Sequence, residues 1–406
     1  MRKKWMYWCI GFALLLVLMP TVAVPVWENV TTSQFSEDDL SNLTEAVTKE
    51  MTQQKTQQKA SISAADVESR AQVNVQRKDP DKKWVFGTAV IEAPKEKGAY
   101  PEGWIYVAKM EEAEWKVALE GSQLFQSWLQ DAPSTVVNSN EKKAFANRSS
   151  DVKIMADQDQ LRLPFALGAT WTLTGGPHGY SGQNTPYSSL DLAGGNQQVL
   201  AAGSGNAYTM CGNGQGWIRI IHANGFATDY YHLLNNIRPN GSWVDVGTFL
   251  GYTGTDVSCG GYASGRHVHF ALRYNNAYVS INGREIGGWV FWSGNSAYGG
   301  YAMHGSTVRY PGQGLYHYGA LAPNQGIVDV VGRGTLNVRS GPGSNYPIVG
   351  TKNDGEIVTI ACTATGTTFT GRSKTTNIWD RIGNGQWVSD AYVWTGSTTA
   401  VAPTCN

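Results

Sequence analysis

The stretch GRHVHFALRY, residues 265–274, sets Val268, Phe270 and Leu272 on one face of an extended chain and His267, His269 and Arg273 on the other. That two-residue period belongs to a half-buried strand, not to a helix. The same grammar continues upstream in Trp217-Ile218-Arg219-Ile220-Ile221 and Ala227-Thr228-Asp229-Tyr230-Tyr231, short β-branched or aromatic runs between Gly, Asn and Ser turns. From about residue 161 to 318 the pattern predicts a mainly β, antiparallel domain.

The rest of the chain is built differently. Residues 1–150 carry 37 of the 64 charged side chains but 5 of the 47 glycines, so two kinds of protein share the 406 residues. The length suits two or three domains. The 32 basic and 32 acidic residues cancel, which excludes the one-signed field that draws a protein to nucleic acid or anionic lipid. With 41% hydrophobic and 11% aromatic residues, wholesale disorder is excluded too.

At the N-terminus, Arg2, Lys3 and Lys4 precede an apolar run over residues 5–19, then Pro20 and the small residues of Thr21-Val22-Ala23. This is the layout of an export signal ending near residue 23, with an uncleaved anchor as the alternative. The run falls short of the roughly 20 residues of a membrane span. The expectation is a secreted product with no membrane association after signal removal. Cys9 would leave with the signal, and Cys211, Cys259, Cys362 and Cys405 remain, an even number suited to an oxidising compartment. Three pairings are open. Proximity favours Cys211–Cys259 and Cys362–Cys405, each worth about 4 kcal/mol in the chain-entropy account.

Residues 24–150 read as an α+β segment without a catalytic constellation. Helical patterning around residues 40–51 precedes strand-like runs at 84–86, 88–91, 104–108 and 115–119, separated by Gly and Pro. An amphipathic piece then carries Leu124, Phe125, Trp128 and Leu129. A charged, exported segment in this position suits a propeptide that folds with, or blocks, the domain after it; a permanent accessory domain is the alternative. Lys142, Lys143, Arg148 and Lys153 make 140–160 the expected processing region. Residues 326–406 again show short, turn-delimited strands, as in a small barrel, and lack an ionisable cluster, which suits a binder rather than a catalyst.

The chemistry gathers in the middle. Side chains at i and i+2 of a strand share a face, so His267 and His269 reach one point. His178 stands in the Gly/Pro turn GGPHGY, and Asp191 in SSLDLAGG projects away from the core-facing Leu190 and Leu192. His232 closes a strand in TDYYHLL, with Tyr230 expected on its own face. A catalytic zinc takes three N or O ligands and leaves a fourth position for water. Any three of His178, Asp191, His232, His267 and His269 would serve, leaving two for proton transfer. His222, His304 and His317 read as structural, and Trp217, Trp243, Trp289 and Trp292 as core residues or a groove lining. No HExxH motif is present.

In order, GGPHGY, SSLDLAGG, DYYHLL, GYTGTD and SGRHVHFALR resemble the motifs of lysostaphin-type zinc endopeptidases, in particular the staphylolysin and β-lytic branch, over about residues 160–318. The resemblance implies one Zn2+ per chain held by His178, Asp191 and His269. It makes His232 and His267 the catalytic pair beside the scissile carbonyl and Tyr230 a supporting group. Arg266 replaces the usual proline and Ala271 a common glutamate, neither at a ligand position. TLNVRSGPGSNYPIVG (335–350), with NIWDRI and QWVSDAYVW after it, resembles bacterial SH3-like domains and implies a module that binds peptidoglycan.

Together these imply a signal peptide at 1–23, an α+β propeptide at 24–150, an antiparallel β-sheet endopeptidase domain at 151–318 and an SH3-like barrel at 326–406. The expected product is a secreted monomer that cuts peptide bonds of bacterial peptidoglycan, glycine-containing cross-bridges foremost. Two alternatives stay open: an inactive cell-wall-binding protein on the same fold, and a broader extracellular, elastolytic peptidase.

Overall fold

A computed structural model describes residues 37–57, 62–146, 160–331 and 334–406. The expected export signal and the basic residues Arg148 and Lys153 lie outside them. Helix α1 (Glu37–Gln57) opens on Glu37, Asp38 and Asp39, where the helix N-terminus favours negative charge. It aligns Leu43, Val47 and Met51, four residues apart, as one fully buried stripe. Helix α2 (Ala64–Arg70) is capped by Ser63, whose side chain accepts from the Asp66 N–H.

An antiparallel meander comes next: β1 (Ala71–Lys78), β2 (Trp84–Ile91), β3 (Glu102–Glu111) and β4 (Glu114–Leu119). Val85, Ala89, Ile91, Trp104, Tyr106 and Ala108 join the cluster built on α1 and α2. Phe86, Val90, Ile105 and Val107 point the other way. With both faces covered, β2 and β3 read as near-continuous apolar runs rather than clean alternations. Two expectations need correction here. Gly87 is not a break between two strands. β2 runs through it, because a Cβ there would meet the Asn74 carbonyl oxygen at 2.0 Å and the Tyr106 ring at 2.8 Å. Strand β1 has no counterpart among the predicted strands: its apolar face is only Ala71, Val73 and Val75, partly buried on the α1 cluster, with polar Gln72, Asn74 and Gln76 between and beyond them.

Helix α3 (Gln123–Asp131), capped by Ser122, buries Phe125 and Leu129. Helix α4 (Ser139–Ala146) takes in Lys142 and Lys143 of the expected processing region. Its Glu141 is fully buried, 2.5 Å from Arg77 and accepting from the Tyr208 hydroxyl at 2.6 Å.

The chain continues through β5 (Thr170–His178), β6 (Ser189–Ala193), β7 (Gln198–Leu200), β8 (Gly205–Thr209), β9 (Gly216–Ile221) and β10 (Phe226–Leu233). After them stand β11 (Asn240–Val244), β12 (Phe249–Tyr252), β13 (Val268–Tyr274) and β14 (Ala277–Tyr278). A four-stranded sheet, β15 (Glu285–Ile286), β16 (Trp289–Trp292), β17 (Tyr301–His304) and β18 (Thr307–Arg309), precedes β19 (Gly314–Tyr316). The main sheet runs β11-β8-β9-β10-β13-β6-β5-β19, with β14 paired to β13. It is the antiparallel, mainly β architecture expected.

One face of this sheet carries Trp171, Leu173, Leu190, Leu192, Ile218, Ile220, Val268 and Phe270 into a core closed by Trp289 and Phe291. The other face presents Tyr208, Trp217, Ala227, Tyr231 and Ala271 to Phe86, Val90, Ile105, Val107 and the helices α3 and α4. The N-terminal sheet therefore lies on the main sheet, and the Cys211–Cys259 disulfide is buried in the layer between them. Arg219 crosses that layer fully buried. Its guanidinium reaches both carboxylate oxygens of Asp229 at 2.8 and 3.1 Å, and Glu120 and the Gly103 carbonyl at 3.0 Å each.

Residues 325–394 form a three-stranded and a five-stranded sheet around Val328, Val338, Ile360, Val388 and Val393. The Cys362–Cys405 disulfide fastens the chain end to it, so both disulfides have the pairing that proximity favours. A cavity of about 240 Å³, lined by Trp292, Tyr301, Asp329, Arg372 and Trp394, separates these sheets from β16 and β17. Among the described residues no helix is long and apolar enough to cross a membrane.

Candidate metal centre and active site

β13 and β6 pair so that His269 lies opposite Asp191. β6 also pairs with β5, where register shifts on either side of Gly175 bring His178, the last residue of β5, to the same point. His178 Nε2, His269 Nδ1 and Asp191 Oδ1 then form a triangle with edges of 3.2, 3.1 and 3.5 Å. A tetrahedral zinc with bonds of about 2.0–2.1 Å has ligand–ligand edges of about 3.3 Å. The donor set therefore fits the ion in spacing as well as in chemistry. Both histidines are fully buried and Asp191 nearly so.

Backbone carbonyls select the tautomers. A carbonyl accepts only, so His178 Nδ1–H donates to Gly176 at 2.7 Å and turns the Nε2 lone pair toward the triangle. His232 Nδ1–H donates to Asp256, and His267 Nδ1–H to Gly265, each at 2.8 Å. Both Nε2 atoms are thereby acceptors. Among the described residues that of His232 is buried without a hydrogen-bond partner, and that of His267 lies 3.6 Å from Asp191 Oδ1. The two rings are 4.8 Å apart.

His232 reaches this position through its backbone. Its φ of +66° falls where β10 breaks register between Tyr230 and Leu233. A left-handed non-glycine residue is uncommon, and it takes the imidazole out of the strand's alternation. Tyr230 consequently does not share its face, which corrects the expected supporting role. It is buried in the opposite core, its hydroxyl accepting from the Ala202 N–H and the Thr228 hydroxyl.

The electrostatics suit a cation. Burial works against charge on Asp191, but His178 first, then His269 and His267, outweigh it and hold the carboxyl well below the usual range. Burial, then repulsion from His267 and His269, pushes His232 down to about 3. Burial, only partly offset by Asp191, pushes His269 to about 4. Both imidazoles are neutral near pH 7, the form that binds a cation or accepts a proton.

Two tyrosines in the site escaped the sequence reading. The Tyr298 ring stacks on His178 with centroids 4.0 Å apart. Tyr100, from the N-terminal segment, lies 5.0 Å from the His269 ring, and the two tyrosine hydroxyls are 3.2 Å apart. Tyr298 had one possible signal, its place in the turn-rich run NSAYGGY, where it takes a φ of +65°. The remaining histidines are held structurally: His222 between Ser204 and Thr228, His304 on Gly288 and His317 on Phe165. Trp217 and Trp289 are core residues, Trp243 is exposed, and Trp292 lines the C-terminal cavity.

Comparison with known proteins agrees with the geometry. The sequence model described as peptidase family M23 matches residues 185–281, which include Asp191, His232, His267 and His269. Protease LasA of Pseudomonas aeruginosa is 34% identical over 149 residues, 34% of this chain and 35% of LasA, so the chain spans about a third of that relative. The solved structure of the M23 metalloprotease pseudoalterin from the deep sea shares 34% identity, over 39% of this chain and 98% of that one, with a TM-score of 0.36. The beta-lytic metalloendopeptidase of Lysobacter enzymogenes is 32% identical over 152 residues, 34% of this chain and 82% of its own length. With a family match over the site and a relative aligned along most of its length, the chain belongs to peptidase family M23.

Proposed function

We propose that this chain is a secreted zinc metalloendopeptidase that cuts peptide bonds in bacterial peptidoglycan, glycine-containing cross-bridges foremost, and is made with a blocking prosegment. The observation that carries the reading is the buried donor triangle of His178, Asp191 and His269 with two tautomer-locked imidazoles beside it. These three residues would hold one Zn2+, which when bound supplies Lewis acidity to a peptide carbonyl and acidifies water.

His232 and His267 do the proton work. With Nδ1–H fixed on carbonyls, each presents Nε2 to take a proton from the attacking water and, once protonated, to return it to the leaving amine. Residues 24–150 act as the prosegment and 151–318 as the catalytic domain. Residues 326–406 act as an SH3-like module whose hold on the wall raises the local substrate concentration.

The test is clearance of purified Gram-positive sacculi by the whole chain, before and after limited proteolysis, beside His269→Ala. Clearance with release of new glycyl amino groups should fail with chelator or His269→Ala, and should return with zinc in the wild type. A chain that pellets with the walls yet releases no amino groups in any form refutes the enzyme and leaves a wall-binding protein. Equal cutting of soluble elastin or casein would move the substrate to extracellular proteins at large.

A further inference from the structure

The N-terminal segment does more than cover a sheet face. Beyond β2 the chain runs along the edge of the site, where Ala93 N–H donates to the Cys259 carbonyl at 2.9 Å and Gly261 N–H donates to the Pro94 carbonyl at 3.1 Å. It then turns, Ala99 N–H donating to Glu96 at 3.2 Å, and delivers the Tyr100 ring to the centre. There the ring lies 5.0 Å from His269, 5.7 Å from Tyr180 and 6.5 Å from His232. Its hydroxyl meets that of Tyr298 at 3.2 Å.

The receiving edge is rigid and shaped for a backbone. The Cys211–Cys259 disulfide holds one end, and the Tyr231 hydroxyl donates to the Gly260 carbonyl at 2.6 Å. Gly260 has a φ of +89°, and a Cβ on it would come within 1.9 Å of the Ala93 oxygen. The Cys259 carbonyl and the Gly261 N–H on this fixed turn take their partners from another stretch of backbone rather than from their own. A peptidase must likewise bring a second backbone to its metal.

We propose that Cys259–Gly261 is the seat of the substrate backbone, and that residues 93–100 hold this seat in the substrate's place while Tyr100 closes the metal site. The proposal rests on the peptidase reading above. The intact chain is therefore latent, and its block is a competitive one: substrate and loop use the same carbonyl of Cys259 and the same N–H of Gly261. Removing the loop leaves both groups needing a partner, which an incoming extended peptide supplies.

The experiment uses the intact, zinc-loaded chain and three variants on the loop side, Tyr100→Ala, Tyr100→Phe and Ala93→Pro. The last removes the N–H that the Cys259 carbonyl accepts from and puts a ring methylene in its place. Far-UV circular dichroism checks that each variant is folded. Two readouts run together: the rate of zinc capture by a chromogenic chelator, and hydrolysis of a pentaglycine peptide.

Tyr100→Ala should lose zinc about tenfold faster than wild type and gain hydrolysis without any cut in the chain, since the ring contacts that close the site are gone. Tyr100→Phe, which keeps the ring, should stay near wild type in zinc loss. Ala93→Pro should gain hydrolysis. A synthetic peptide spanning residues 92–101 should inhibit the proteolysed chain by raising KM with kcat unchanged.

Equal zinc loss and equal latency in all four chains, with an active proteolysed form, would overturn the inference and leave the peptidase reading standing. Faster zinc loss from Tyr100→Ala, with no hydrolysis by any form, would uphold the plug and refute the peptidase reading instead.

Discussion

Arg219 offers the sharpest test of how the two sheets hold each other. Its side chain is fully buried and donates four hydrogen bonds, two to Asp229 and one each to Glu120 and the Gly103 carbonyl. Asp229 has other donors, Trp217 Nε1 at 3.1 Å and the Tyr278 hydroxyl at 2.9 Å. Beyond Arg219, the one other donor to Glu120 among the described residues is the Ile105 N–H, at a long 3.3 Å. Arg219→Met therefore leaves one carboxylate partly served and one stranded, and breaking a buried pair in this way costs about 3–5 kcal/mol.

Glu120→Gln alone keeps an acceptor and should cost less, about 1–2 kcal/mol for a weakened charge-assisted bond. In Arg219→Met/Glu120→Gln the stranded charge is gone, so the double variant should recover about 1–3 kcal/mol relative to the sum of the singles. Urea unfolding of the whole chain, monitored by tryptophan fluorescence and circular dichroism together, measures all three. Additivity within about 0.5 kcal/mol, or a loss below about 1 kcal/mol for Arg219→Met, would refute the argument that this layer is dry and that Glu120 depends on the guanidinium.

The structure sets three further outcomes. His232→Ala and His267→Ala should each keep one zinc per chain by atomic emission while lowering peptide hydrolysis about 10²–10⁴-fold, the usual share of a general acid–base group. Loss of zinc from either would move that histidine into the ligand set. The C-terminal module, expected to lack an ionisable cluster, has one in the buried side chains of Asp380, Asp390 and Lys374, with Lys374 2.8 Å from Asp390. Burial first, then the neighbouring Asp390, pushes the Asp380 carboxyl up to about 8. A raised acid stabilises the fold fully below its unfolded pKa near 4, and that contribution is lost as pH rises toward about 8. Asp380→Asn should flatten this decline in melting curves between pH 4.5 and 8.5, and an unchanged slope would refute it. Finally, Cys211→Ser/Cys259→Ser opens a loop with a sequence separation of 48 and should cost about 4 kcal/mol in urea unfolding. A loss below about 1 kcal/mol would show that interface packing alone holds this edge.

The strands that carry the site were legible because their residues obey a local rule. His267 and His269 flank Val268, Asp191 sits between two leucines, and the alternation assigns faces without any knowledge of the partner strands. The misses share a cause as well. Gly87 looks like punctuation until the Tyr106 ring crosses it, and β1 sets only Ala71, Val73 and Val75 against the α1 cluster, an alternation too poor in large apolar side chains to stand out. Tyr230 was put on His232's face by the same alternation that succeeds elsewhere, and the left-handed backbone at His232 breaks the rule there. Tyr100 and Tyr298 come to the site from loops 198 residues apart in sequence, a distance no spacing pattern spans. The five candidate residues were thus readable one segment at a time, the choice of three among them as the donor triangle followed only from the family resemblance, and the groups that close it were not readable.

The sheet face bearing Tyr208, Trp217, Ala227, Tyr231 and Ala271 is dry because the N-terminal sheet lies on it. A chain that sheds that sheet changes its colloidal character in one step, trading a covered seam for a broad aromatic panel. The shortened form would adsorb to surfaces and self-associate under conditions in which the intact chain stays dispersed. Storage is then best done uncut, with the cut made where the panel has something to land on.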